Sequence, residues 1–285
     1  MTTLGILHPG SMGAAVAAQA KHRGAEVVWC PEGRSPATRE RAAGFSEVRD
    51  IAEMASRCDI IMALCPPADA ESVAGLVGAE EFSGIYVDAN AVSPATMASI
   101  SAFAIRDPDR LVDGSVIGSP PSAAKTARLY LSGPDEAARA VAELFAGTAV
   151  AARPLSGGIG KASALKLSYS SYQKASRVLA AVTHALARDW GVQDELLDIA
   201  QGRSTSYLAE PEYIPKVAAR AWRWGPEMRE VASALGELSL PDELAEATAA
   251  VMERWAQTKD QSLEISEALD LLRADDLPLS QPDLH

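Results

Sequence analysis

Two places in this sequence carry residues whose types and spacing could do chemistry. The first is Leu7-His8-Pro9-Gly10-Ser11-Met12-Gly13, where two glycines stand three apart between an apolar run and a helix-like run. In the dinucleotide fingerprint G-x-G-x-x-G, glycines at these two places let a pyrophosphate approach the backbone and let the helix pack on the strand. His8 stands where the first glycine, that of the tight turn, is expected. The second place is Lys166, Ser170 and Gln173, at i, i+4 and i+7 on one helix face. Hydride transfer from a reduced nicotinamide needs a proton source for the heteroatom of the substrate. A lysine desolvated beside a positively charged nicotinamide would give up its proton readily. Each place also suits a plainer reading: an ordinary strand-to-helix corner, and a lysine on a solvated helix face.

The surrounding elements favour the chemical readings. Short apolar runs TLGIL, AEVVWC, DIIMALC, GIYVDAN and RLVDGSV alternate with helical patterns, which predicts a parallel sheet covered on both faces. Ser35-Pro36, Asp50 and Ser93-Pro94 are helix-start signals, and Pro134 opens a further helix. ARLYLSG and TAVAAR read as two more strands. The glycine pair follows the first strand, opens a helix and precedes a second strand, the context that a phosphate-binding turn requires. After that second strand come Glu32, Arg34 and Ser35. A carboxylate there serves the ribose hydroxyls of NAD, whereas arginine suits the 2′-phosphate of NADP. Arg34 can grip a phosphate in a charge-assisted fork, and Ser35 sits at a helix start that favours anions. NADP(H) is therefore the expected cofactor, with NAD(H) possible.

Near residue 155 the texture changes. LSGGIGK is a glycine-rich break, and strand patterns stop after it. Ala162, Leu165, Tyr169, Tyr172, Ser176, Leu179, Thr183, Leu186 and Trp190 form one stripe at spacings of three and four. A helix of about 30 residues is ~45 Å long, long enough to pack on more than one neighbour. Further helical patterns follow, and ADDLPLSQPDLH is a polar, proline-broken tail. The expected domains are a dinucleotide-binding Rossmann domain at 1–155, an all-α substrate and dimerisation domain at 156–275, and a disordered tail at 276–285.

The bulk numbers bound the partners. The chain has 285 residues, 48% apolar and 22% charged, enough for two ordinary domains with a sizeable core. A net charge of −12 with no basic run argues against nucleic acid and anionic membranes. No apolar run approaches the ~20 residues of a membrane span, and the N-terminus reaches a strand pattern at once, unlike a signal peptide. Cys30, Cys58 and Cys65 are odd in number, without a C-x-x-C. The expectation is a cytoplasmic protein acting on a small molecule. The four histidines show no ligand spacing, so no metal site is expected. Trp222, Trp224 and Trp255 suit packing, an aromatic pocket or a dimer groove.

With these segments in view, the sequence resembles the 6-phosphogluconate/β-hydroxyacid dehydrogenase superfamily, most closely a branch whose C-terminal domain is of unknown function. The carrying segments are LHPGSMG, ALCPPADAES, YVDANAVSPATM, LVDGSVIGSPP, ARLYLSGP and IGKASALKLSYSSYQKA, in that order across about residues 3 to 275. The resemblance implies that Gly10, Ser11, Met12 and Gly13 cradle the pyrophosphate, that Cys65 and Pro66 end the fourth strand beside the cofactor, and that Asn90 lies near the nicotinamide ribose. It implies that Lys166 moves the proton at the substrate oxygen, that Tyr169, Ser170 and Gln173 face substrate, that the active site lies between the domains, and that the protein is a homodimer. Three departures stand out. The serine of the substrate-binding segment is replaced in Ile117-Gly118-Ser119, and Ser170 stands where an asparagine usually anchors substrate. The spacing between Gly160 and Lys166 is stretched by two residues. The DGSVIGSPP segment is also similar to imine reductases, a sister branch that generally lacks the helix lysine. The implied activity is reversible carbonyl reduction. Imine reduction and a non-catalytic NADPH-binding role are the alternatives. His8 is expected to shape the backbone or pack, not to catalyse.

Overall fold

In a computed structural model of the chain, the structure describes residues 1–189, 191–202, 207, 210–237 and 242–273. The expected tail at 276–285 lies outside the described residues. The chain divides into two compact units, Met1–Ser168 and Tyr169–His285.

The first unit is built on an eight-stranded sheet. Its strands are β1 (Thr3–Leu7), β2 (Glu26–Trp29), β3 (Ser46–Glu47), β4 (Ile60–Ala63), β5 (Ile85–Asp88), β6 (Leu111–Ile117), β7 (Ala127–Ser132) and β8 (Val150–Pro154). They lie in the order β3-β2-β1-β4-β5-β6-β7-β8, parallel except for the antiparallel β6–β7 pair. The order reverses direction between β1 and β4, the switch point where doubly wound sheets bind their ligands. This is the expected α/β Rossmann-type architecture, followed by an all-α region. The two-residue β3 was not expected. Ser46 and Glu47 are both exposed, so no apolar signal marks the strand.

The sheet is buried on both faces because consecutive strand residues point to opposite sides. Leu4, Ile6, Val27, Trp29, Ile60, Met62 and Val87 pack on one face. There they meet Val16, Ala17 and Ala20 of α1 (Ser11–His22) and Ala137 and Val141 of α6 (Asp135–Glu143). Leu7, Val28, Ile61, Ala63 and Tyr86 pack on the other. Their partners are Met54 of α3 (Ile51–Arg57), Val73 and Val77 of α4 (Ala70–Ala79), and Met97 of α5 (Pro94–Ser99). The expected start signals act as caps. Ser35 accepts from the Thr38 amide ahead of α2 (Pro36–Arg41), Asp50 from that of Glu53, and Ser93 from that of Thr96.

The long helix α7 spans Lys161–Asp189, 29 residues. Its start is tied to the sheet through Asp113 of β6. Asp113 Oδ2 accepts from the Gly160 and Ser163 amides, each at 3.0 Å, and from Ser132 Oγ at 2.9 Å. Oδ1 accepts from Ser163 Oγ at 2.7 Å, and Ser132 Oγ accepts from the Ala162 amide at 3.0 Å. A carboxylate at a helix N-terminus satisfies amides that have no partner within the helix and faces the positive end of its dipole. These bonds explain why the boundary between units falls inside α7. The first two turns belong to the sheet unit, beyond the glycine break near 155.

In the second unit, α10 (Ala221–Glu237) and α11 (Glu243–Glu253) pack together. Their buried residues Gly225, Met228 and Ala232, and Ala245, Ala249 and Met252, recur at spacings of three and four. α8 (Gln193–Gln201), α9 (Ile214–Ala218) and α12 (Ile265–Asp270) complete the described helices. The expected stripe on α7 is corrected in part. Ala162 is buried as expected, but Leu165, Tyr169 and Tyr172 are exposed, and Leu167, Ser170, Lys174, Ala175 and Val178 are among the residues buried instead. Polar Ser170 and Lys174 are buried because Glu227 of α10 partners both. Among the described residues, no helix is long and apolar enough to cross a membrane.

Removing the carboxylate at 113 leaves buried amides without an acceptor. Asp113→Ala is expected to lower the unfolding free energy by about 3 kcal/mol, read from the shift in a urea midpoint. Asp113→Asn, which keeps one acceptor oxygen, loses less.

Candidate functional site

The opening turn has the geometry of a phosphate loop. β1 ends at Leu7, paired with Ala63 at the carboxyl end of β4. His8 has φ of +62°, in the left-handed region where glycine is the usual residue. The missing glycine is therefore replaced in sequence, while the backbone keeps the conformation a glycine would supply. The Gly10 amide donates to the His8 carbonyl at 2.7 Å, and Gly10 precedes α1 without a side-chain cap. At Gly13 an added Cβ would lie 2.9 Å from the His8 carbonyl oxygen and 3.4 Å from Leu64 Cβ, so only glycine fits. A Cβ added at Gly10 would meet nothing closer than the His8 carbonyl oxygen at 3.9 Å, so this side of the turn is open to a ligand. Ser11 is exposed in the first turn, and Met12 packs on the sheet core.

Beside this turn lies a cavity of about 500 Å³ at the carboxyl ends of β1 and β2, within the size range of small-molecule sites. Leu7, His8, Cys30, Glu32, Arg34 and Asp50 contribute to its wall. Glu32 and Arg34, the alternative cofactor discriminators, thus share one cavity. Arg34 is half-buried, and its Nε has no hydrogen-bond partner among the described residues. Ser35 is occupied in capping α2: its Oγ lies 3.1 Å from Thr38 Oγ1 and accepts from the Thr38 amide at 3.3 Å. His8 Nδ1 is likewise buried without a partner among the described residues. Burial foremost, and then the Arg34 charge, lowers the His8 pKa to about 4 against the opposing pull of Asp69. The imidazole is therefore neutral at ordinary pH. The unpartnered Nε of Arg34, the neutral ring of His8 and the open side of the turn at Gly10 together fit the adenosine-phosphate half of a dinucleotide. Arg41, at the end of α2, brings its Nε within 3.5 Å of the Pro9 carbonyl and adds a cation beside the turn. Sequence spacing does not point to Arg41. The folding of α2 puts it there.

At the ends of β4 and β5 the side chains engage one another. Asn90 Oδ1 accepts from the Cys65 amide at 2.7 Å, and Asn90 Nδ2 donates to Asp88 Oδ2 at 2.9 Å. Asp88 also accepts from the Asn90 amide at 3.1 Å. Asn90 is buried, so its side chain ties the ends of the two strands together. Pro66 follows and opens a short turn of helix at 67–69. The Cys65 thiol is pushed up to about 12 by burial, which leaves it protonated and unreactive. Cys58 is raised to about 12 for the same reason.

At the end of β6 the structure joins two expected groups. Lys166 Nζ donates to the Val116 carbonyl at 3.0 Å, directly before Ile117-Gly118-Ser119. Gly118 has φ of +128°, so the chain turns sharply off the strand there. Ile117 is half-buried and Ser119 exposed. Further along α7, Tyr169 is exposed and Gln173 half-buried. Ser170 is buried and donates to Glu227 Oε1 at 2.8 Å, and Lys174 pairs with Glu227 Oε2 and lies over the Trp224 ring. The Lys174–Glu227 pair was not foreseen, although Lys174 stands four residues beyond Ser170 on the same face. Trp255 is fully buried, with Nε1 donating to the Ala268 carbonyl at 2.7 Å, and Trp222 lies under Lys259.

Known proteins resemble this chain in both of its parts. Residues 1–92 match the family model of the D-isomer specific 2-hydroxyacid dehydrogenase NAD-binding domain, and residues 187–255 match that of a domain of unknown function, DUF1932. An uncharacterised 28.5 kDa protein of Methanothermus fervidus is 30% identical over 178 residues, 62% of this chain and 67% of its own. A solved protein of unknown function, described as structurally similar to 3-hydroxyacid dehydrogenases, is 26% identical over 95% of this chain and 100% of its own, with a TM-score of 0.65. The 3-hydroxyisobutyrate dehydrogenase of Mycobacterium tuberculosis shares the fold, at 20% identity over 96% of this chain and 100% of its own, with a TM-score of 0.70.

Burial raises Asp88 to about 7. An acid raised in the folded state favours folding below its unfolded pKa and loses that contribution as pH rises through the folded value. The unfolding free energy of the wild type, relative to that of Asp88→Asn, is therefore expected to fall between about pH 4 and 7. The change is on the order of 4 kcal/mol, checked by urea denaturation at stepped pH.

Proposed function

The chain belongs to the 6-phosphogluconate/β-hydroxyacid dehydrogenase superfamily, in the branch whose C-terminal domain is of unknown function, and on that premise we propose that it is an NADP(H)-dependent oxidoreductase interconverting a carbonyl and an alcohol. The observation that carries the reading is the place of Lys166, whose Nζ donates to the Val116 carbonyl at the end of β6, beside Ile117-Gly118-Ser119. The nicotinamide supplies or accepts hydride. Gly10, Ser11, Met12 and Gly13 hold the pyrophosphate at the start of α1, Arg34 with Ser35 meets the ribose phosphate, and Cys65, Pro66 and Asn90 form the wall toward the nicotinamide. Lys166 Nζ holds the proton for the substrate oxygen. Ile117, Gly118 and Ser119 orient the substrate, together with Tyr169 and Gln173 further along the same helix. Ser170 acts at one remove, through Glu227.

Imine reduction is the second reading, favoured by Ile117, which leaves the segment without the serine that would bind an acid. We further place the protein in the cytoplasm, consistent with three free cysteines, and as a homodimer. Tyr169 and Tyr172 on α7 and Ile199 on α8, 42%, 70% and 68% exposed, are apolar surface available to a second copy.

Lys166→Met separates the two chemistries. A carbonyl reductase loses turnover by about 10²–10⁴-fold, with NADPH affinity unchanged, whereas an imine reductase keeps its rate because an iminium arrives protonated. The rates are read as NADPH oxidation over keto acids, ketones and cyclic imines. No turnover of any of them by the wild type would leave a non-catalytic NADPH-binding protein. For the cofactor, Arg34→Ala is expected to weaken NADPH by about 10–100-fold and NADH little. Equal loss for both overturns the assignment to NADP(H).

A further inference from the structure

We propose that His8 and Arg34 together hold the ribose 2′-phosphate of the cofactor, and that His8 takes up a proton from solvent as that phosphate binds. The proposal rests on the NADP(H) reading above and extends it to a residue that the fingerprint does not assign.

Three observations carry it. First, His8 puts a side chain where the fingerprint has none, and does so at a cost. A non-glycine residue at φ +62° carries backbone strain. A glycine would give the same turn without it. Second, the ring has an unspent polar atom. Its Nδ1 is buried with no hydrogen-bond partner among the described residues. Third, His8 shares its cavity with Arg34, whose Nε is equally without a partner among the described residues. A second positive charge beside Arg34 is unfavourable until an anion lies between them. The phosphate dianion removes that repulsion and makes the protonated ring a donor.

The other charged groups around His8 do not supply that anion. Arg34 comes from the loop after β2 and Asp69 from the turn after β4, and their effects on His8 oppose each other. Glu32, Asp50 and Glu80 also line the cavity, and Cys30 is a thiol there. Among the described residues none of them forms an ion pair or hydrogen bond with the ring, and burial outweighs Asp69, so the ring stays neutral until the ligand arrives. NADH offers a hydroxyl at the same place. A hydroxyl can bond to a neutral imidazole without any proton uptake. The two cofactors should therefore differ in how their binding depends on pH.

The test is equilibrium binding of NADPH and NADH, followed by cofactor fluorescence from pH 6 to 8. It uses the wild type, His8→Asn and His8→Gly. Asparagine and glycine both accept the left-handed conformation, and circular dichroism confirms folding. The phosphate's own ionisation is common to all three proteins and cancels in the comparison. With one proton taken up, wild-type NADPH affinity is expected to fall by up to about tenfold more per pH unit than that of either variant. The NADH profiles of the three proteins should run parallel. Superimposed NADPH profiles for wild type and variants overturn the proposal, and so does an equal extra fall for NADH. If NADPH still binds better than NADH in an Arg34-dependent way, that failure belongs to His8 alone. Loss of any preference for NADPH overturns the cofactor reading as well.

Discussion

The carboxylate of Asp113 is the contact on which the candidate site depends. It accepts from two amides and two hydroxyls at the start of α7 and at the end of β7. A helix start can be satisfied by water if it is exposed. Here it is buried against the sheet, and only a fixed acceptor will serve. Lys166 lies three residues beyond Ser163, less than one helical turn. Once Ser163 is bonded to Asp113, the direction of α7 delivers Lys166 to the Val116 carbonyl. The cation reaches the end of β6 because β6 itself holds the helix that carries it.

The same economy recurs at β4 and β5. Asn90 spends both ends of its amide on Cys65 and Asp88, so it shapes the wall of the site through the strands. Burial has different effects on the groups near it. It keeps the Cys65 thiol protonated and raises Asp88 toward neutrality.

Much of this was legible in the sequence. Continuous apolar runs mark strands such as β1, β2 and β4, because each strand is covered on both faces. The caps Ser35, Asp50 and Ser93 were legible because capping is local, within three residues. What was not legible depends on distance along the chain or on backbone shape. Asp113 and Ser163 are fifty residues apart, and nothing in either neighbourhood announces the other. Arg41 reaches Pro9 only after α2 has folded. The left-handed turn at His8 follows from the fold around it, since the residue type alone predicts an ordinary backbone. Tyr169 and Leu165 look like core at helical spacing, yet they are exposed. Periodicity finds a helix face but cannot say whether this chain or another covers it.

The buried pair of Lys174 and Glu227 bears on how such a protein can change over generations. Each group is nearly inaccessible, and a buried charge left alone costs far more than the intact pair contributes. Single substitutions at either position pass through a destabilised chain, so replacement has to come at both together or not at all. Ser170, bonded to the same carboxylate, is held in the same way. These three positions should therefore drift slowly while the exposed face of α7 diversifies.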